Sequence, residues 1–142
     1  MAPQPVTLPV RTRNMADNVE TIRRGYEAWN RGDLDSLAAI YAPEVTADAG
    51  VLWPAAGEIA GSEAIIDAFA SIIAVFEKSE VLADEYIEHG DSVVVPTRWR
   101  GLLPGSEDVV EQKVVAVYTM RDGQVVHIGY FTGLEDALAA TG

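Results

Sequence analysis

Cysteine is absent from this chain of 142 residues, which excludes disulfide staples, zinc–thiolate sites and thiol nucleophiles. Histidine occurs only as His89 and His127, in neither HxH nor HxxxH spacing, so no metal is expected. No phosphate-cradling glycine-rich loop precedes a helix, and no cofactor is expected either. Basic residues are scarce. Ten Lys and Arg against 22 Asp and Glu give a formal charge of -12, a field that repels phosphate backbones, so nucleic acid is not an expected partner. Long apolar runs are missing as well. The stretch from Ala64 to Phe76 is interrupted by Asp67 and Ser71 and is far short of the roughly 20 residues that cross a bilayer, so no membrane association is expected.

What remains is the composition of one globular domain: 49% hydrophobic and 23% charged side chains. A chain of this size buries roughly two-thirds of its unfolded surface and folds without staples. The first fourteen residues hold three prolines and no usable periodicity, so they read as a tail, with a single domain over residues 15–142. The tail lacks the apolar core of a secretory signal, and a cytoplasmic location is the expectation.

From Asp17, the residues Val19, Ile22, Tyr26 and Trp29 form one helical stripe. Gly32 reads as its left-handed cap and Asp33 as the N-cap of a short second helix carrying Leu34, Leu37, Ile40 and Tyr41, ended by Pro43. An irregular strand follows from Val45 to Val51. Ser62 is the expected N-cap of a third helix whose stripe is Ile65, Phe69, Ile72 or Ile73, and Phe76. Val81–Glu88, Ser92–Leu102, Val109–Met120 and Gln124–Thr132 are β-branched and aromatic runs separated by turn residues, which predicts an antiparallel meander. Leu134–Ala140 is too short for an independent helix and is expected to pack as a C-terminal turn on the sheet. The layout is α+β, with helices on one face of a curved, mainly antiparallel sheet.

This element order, with Tyr26-Glu-Ala-Trp-Asn-Arg-Gly-Asp33-Leu-Asp-Ser-Leu37, Ile40-Tyr41-Ala-Pro43-Glu-Val45, Gly61-Ser-Glu-Ala-Ile65 and Arg121-Asp-Gly123, resembles the SnoaL-like branch of the nuclear-transport-factor-2-like superfamily. The resemblance implies a cone-shaped half-barrel around an apolar pocket, commonly in a homodimer. It does not carry an activity over. Set against the ketosteroid isomerases of the same fold, the positions of the tyrosine, the base and the neutral acid fall on Gly25, Ala49 and Ala116, with Tyr26 and Asp48 each one residue away. The acid that SnoaL-type polyketide cyclases carry on the last strand is replaced by Tyr130. The Arg-x-Asp pair of limonene-epoxide hydrolases reads Arg98-Trp-Arg100.

Strand alternation sorts the remaining candidates. Val93, Val95, Thr97 and Trp99 form the apolar, concave face of their strand. Val110, Gln112, Val114, Ala116 and Tyr118 form that of the next, with Gln112 and Tyr118 as its polar spots. Ile128 and Tyr130 share a face with Val126, while His127 sits with Gly129 and Phe131. Asp48, His127 and Tyr26 are the candidate catalytic residues: Asp48 as a base confined by the Trp53 loop, or a solvated loop residue; His127 as an acid–base group, or a residue on the outer face. Trp29, Trp53, Phe69, Trp99, Gln112, Tyr118 and Tyr130 are candidate contacts for a small, ring-containing apolar molecule, with Phe76 a further possible lining ring. Two functions stay open: an enclosed site with cofactor-free proton-transfer chemistry, of isomerase, cyclase or hydratase type, or a noncatalytic ligand-binding or dimerisation module. A homodimer is expected through the outer sheet face bearing Val115, Val117 and Phe131.

Overall fold

The computed structural model describes the backbone of residues 7–48 and 58–141, with side chains from residue 18 onward. Ala49 and Trp53 lie outside the described residues. Helix α1 spans Thr7–Arg31, so it begins ten residues ahead of the expected start at Asp17. Pro9 does not prevent this. It falls in the first turn, where backbone donors have no intrahelical partner to lose. The C-terminus closes as expected: Gly32, at φ 75°, donates to Trp29 O at 3.0 Å and Asp33 to Ala28 O at 2.9 Å. Asp33 then caps α2 (Leu34–Ala38), its carboxylate accepting from Ser36 N at 3.1 Å and Ser36 Oγ at 2.7 Å.

Strand β1 (Tyr41–Asp48) starts earlier than the sequence suggests and contains Pro43, which stands where the ladder to β7 shifts register between Tyr41 and Thr46. After β2 (Glu58–Ala60) comes α3 (Ser62–Val75), capped by Gly61 at φ 94° rather than by Ser62, which is its first helical residue. The expected strand Val81–Glu88 is two pieces, β3 (Lys78–Ala83) and β4 (Ile87–His89), both paired to β5 (Ser92–Leu102). Pro96 marks the break. Its carbonyl accepts from Asp84 N at 2.9 Å, and its missing N–H faces the segment between β3 and β4, where no regular ladder needs it.

β6 (Val109–Arg121), β7 (Gln124–Phe131) and α4 (Leu134–Thr141) complete the chain. The sheet order is β2-β1-β7-β6-β5-β3, with β4 on β5; β1 and β7 run parallel and every other pair antiparallel. Residues of α1, α2 and α3 share one core with the concave face, including the fully buried Ile22, Ile65, Val93, Val95, Val114 and Ile128. Each such side chain contributes roughly 1.5–3 kcal/mol of transfer free energy. A bulge between Thr119 and Met120 gives the core Val125 in place of the expected Val126.

The convex face departs from expectation. The C-terminal segment is a helix, and its Ala137 and Leu138 pack on Val94, Val115, Val117 and Phe131. Val115 and Val117 are only 7% and 6% exposed, so the apolar surface from which a dimer contact was expected is covered by the chain's own α4.

Candidate functional site

The concave side divides into a deep end and a mouth. At the deep end Tyr26, from α1, and Tyr118, from β6, place their hydroxyls 2.7 Å apart, with rings edge-on at 6.1 Å. Tyr41 and Tyr130 join them. Burial pushes all four phenols well above their ordinary pKa, and the hydrogen bond from Tyr118 only partly offsets this for Tyr26. They are neutral groups offering O–H donors. Trp29 packs edge-on against Phe69 at 4.9 Å and Trp99 at 5.1 Å, and Trp99 reaches Tyr130 at 6.2 Å. These rings leave a void of about 20 Å³, room for a single water and smaller than one ring.

The mouth is open. A cavity of about 380 Å³ lies between the C-terminal end of α3 and strands β5 and β6. Ile72, Val75, Phe76, Trp29, Trp99 and Val110 supply its apolar wall, with Ser71, Ser79 and Gln112 as polar spots and Glu80 and Arg100 as its charged lining. Gly101 makes this shape possible, because a Cβ there would sit 2.5 Å from the Phe76 ring. Thr97 fixes Trp99: its hydroxyl donates to Val114 O at 2.6 Å and accepts from the Trp99 indole at 3.1 Å. The buried Trp29 indole N–H has no hydrogen-bond partner among the described residues.

Gln112 thus stands at the mouth, Tyr26, Phe69, Tyr118 and Tyr130 surround the deep void, and Trp29 and Trp99 line both. The two remaining described candidates are not brought to either. His127 lies on the convex face beside Gly129 and Phe131, with Nδ1 2.7 Å from Thr46 Oγ1. Asp48 is exposed at the end of β1, opposite Gly129 on one side and Glu58 on the other. Arg98 also faces outward, meeting Asp84 at 2.8 Å, whereas Arg100, 3.6 Å from both Glu80 and Glu111, lines the mouth together with Glu80. Among the described residues no group of three His, Cys, Asp or Glu side chains is placed to hold a metal ion. Sequence reasoning missed Ser79, Val75 and Gly101. A glycine inside a strand-like run was the available signal for the last.

The SnoaL-like domain profile matches residues 22–128. The chain belongs to the SnoaL-like family. Among solved structures, this SnoaL-like chain is similar to a SnoaL-like polyketide cyclase-type protein from Jannaschia sp. CCS1, at 26% identity, a TM-score of 0.70, and coverage of 89% of this chain and 92% of that one. A nuclear-transport-factor-2-like protein of unknown function from Burkholderia pseudomallei shares 25% identity with a TM-score of 0.69 over 88% of this chain and 97% of that one. Bal32a, from a soil-derived mobile gene cassette, superimposes with a TM-score of 0.75 at 21% identity, over 89% and 97% of the two chains. No curated protein matches the sequence.

Proposed function

We propose that this SnoaL-like protein binds a small, largely apolar, ring-containing molecule at the mouth of its cone, without acid–base chemistry. The observation that carries the reading is the division of the concave side: about 380 Å³ of apolar-walled space at the mouth, against about 20 Å³ at the phenol-lined deep end. The mouth volume falls in the range of ligand sites, roughly 300–1,000 Å³. A proton-transfer site needs a base within reach of the substrate; Asp48 and His127 stand elsewhere on the sheet, and Glu80, the carboxylate that lines the mouth, is held 3.6 Å from the Arg100 guanidinium. The Jannaschia relative, of polyketide cyclase type, supports a ring compound as the ligand class.

Calorimetric titration with 2-naphthol tests this. A dissociation constant of about 0.1–1 mM is expected for a bicyclic ring at roughly 0.4–0.5 kcal/mol per heavy atom. Val110→Arg, at a rim position 47% exposed, should weaken binding at least about tenfold by filling the mouth, while Asp48→Asn and His127→Gln leave it unchanged. Binding that survives Val110→Arg and is lost in Asp48→Asn or His127→Gln overturns the reading.

A further inference from the structure

We propose that the ligand carries an amide, read by the free peptide edge of Ser79. This rests on the mouth-cavity reading above and adds the ligand's polar group to it. β3 is the edge strand of the sheet, and the side chain of Asn30 is laid against it like a neighbouring strand: Asn30 Nδ2 donates to Val81 O at 3.0 Å and Val81 N donates to Asn30 Oδ1 at 2.8 Å. Both peptide groups of Val81 therefore point away from β5. Peptide direction alternates along a strand, so those of Ser79 point the same way. The partner strand agrees, since Pro96 O turns toward β3 to accept from Asp84, whereas Val114 O on β6 turns toward Thr97.

Turned away from β5, Ser79 N–H and C=O stand outside the β3–β5 ladder, and among the described residues no turn or side-chain hydrogen bond like that of Asn30 reaches them. They lie where two spaces meet, because Ser79 lines both the mouth cavity and an adjoining groove of about 540 Å³ along the edge that Asn30 closes. The carboxamide of Asn30 demonstrates the chemistry this edge accepts two residues further on: an acceptor and a donor side by side. Between Asn30 and Glu77 the free edge is one residue long. Asn30 covers Val81, and at the other end Glu77 N turns inward to Leu102 O at 2.7 Å, out of step with the Lys78–Leu102 pairing. That length suits a single cis amide and not an added peptide strand. The ligand class is an apolar ring bearing a lactam or primary carboxamide, its ring against Phe76 and Trp99 and its amide against Ser79.

Three bicyclic probes of nearly equal shape separate the possibilities: quinolin-2-one, its N-methyl derivative, and quinoline. The lactam should bind about tenfold more tightly than the N-methyl derivative, which has lost the donor. In a ¹H–¹⁵N correlation spectrum the Ser79 amide should move downfield with the lactam and stay near its free position with quinoline. Ser79→Ala should keep the preference, since the peptide and not the hydroxyl reads the ligand. Ser79→Pro removes only an outward N–H and should weaken lactam binding about fivefold, with quinoline unaffected. Equal affinity for lactam and N-methyl derivative, with the Ser79 amide unmoved, overturns the amide inference and leaves the cavity reading standing. Failure of all three probes to bind overturns both. If Ser79→Pro does not fold, the probe series and the Ser79 resonance decide the question in the unmodified protein.

Discussion

The deep end and the mouth of the cone are built from the same strands and the same alternation, yet one is filled and the other is not. On β6, Tyr118, Ala116 and Val114 are buried against helix side chains, while Gln112 and Val110, two and four residues before Val114, stand exposed at the rim. On β5, Val93 and Val95 are sealed, whereas Gly101 has no side chain to contribute and yields its place to Phe76. The core thus closes over the end of the concave face packed by Ile22, Tyr26 and Phe69. The difference teaches that the phenols, which resemble catalytic equipment, are here part of the packing, and in the proposed reading recognition belongs to the less densely packed end.

The largest effect should come from breaking the deep end. Tyr118→Ala removes a ring that is 6% exposed and should cost about 3–5 kcal/mol in urea unfolding, whereas Val110→Ala at the mouth should stay within about 0.5 kcal/mol. Similar losses at the two positions would erase the distinction. A smaller effect is expected from Tyr26→Phe, about 1–3 kcal/mol, because it leaves the Tyr118 hydroxyl buried without its partner at 2.7 Å. Adding Tyr118→Phe should recover much of that loss, and strict additivity of the two changes would contradict a coupled pair.

The phenols also predict a pH dependence. Their folded pKa values lie above that of an unfolded tyrosine, near 10, because burial disfavours the phenolate. The contribution to stability is therefore complete below about pH 10 and is lost as the pH rises beyond it toward the folded values. Absorbance at 295 nm (about the phenolate band) should rise in two stages. Tyr86, partly exposed and raised less, ionises first, and the four buried phenols follow together at alkaline unfolding. A smooth titration of all five tyrosines in the folded protein would mean the deep end is open to solvent.

Much of this arrangement is legible in the sequence, and for local reasons. Gly32 and Asp33 occupy positions that only a few residue types fill well, and the alternation in β5 and β6 correctly assigns Trp99, Gln112 and Tyr118 to the concave side. What was hidden depends on neighbours distant in sequence. The bulge that exchanges Val126 for Val125 exists only against β6, and Pro96 reads as a fault in a strand until the break between β3 and β4 is seen opposite it. Alternation already sets His127 with Gly129 and Phe131 and leaves the outer face as its alternative, which is where it lies; Asp48, chosen for its chemistry, is exposed at the end of β1. Ser79 offers no side-chain signal at all, because its part is played by a peptide group whose freedom follows from β3 being the edge.

The central claim is where the ligand sits, and chemical-shift mapping with 2-naphthol tests it most directly. The account predicts saturable shifts at Ile72, Phe76, Trp99 and Val110, including the Trp99 indole N–H, with Thr46, Asp48 and His127 unmoved. Shifts centred on Asp48 and His127, with the mouth residues unchanged, would contradict it.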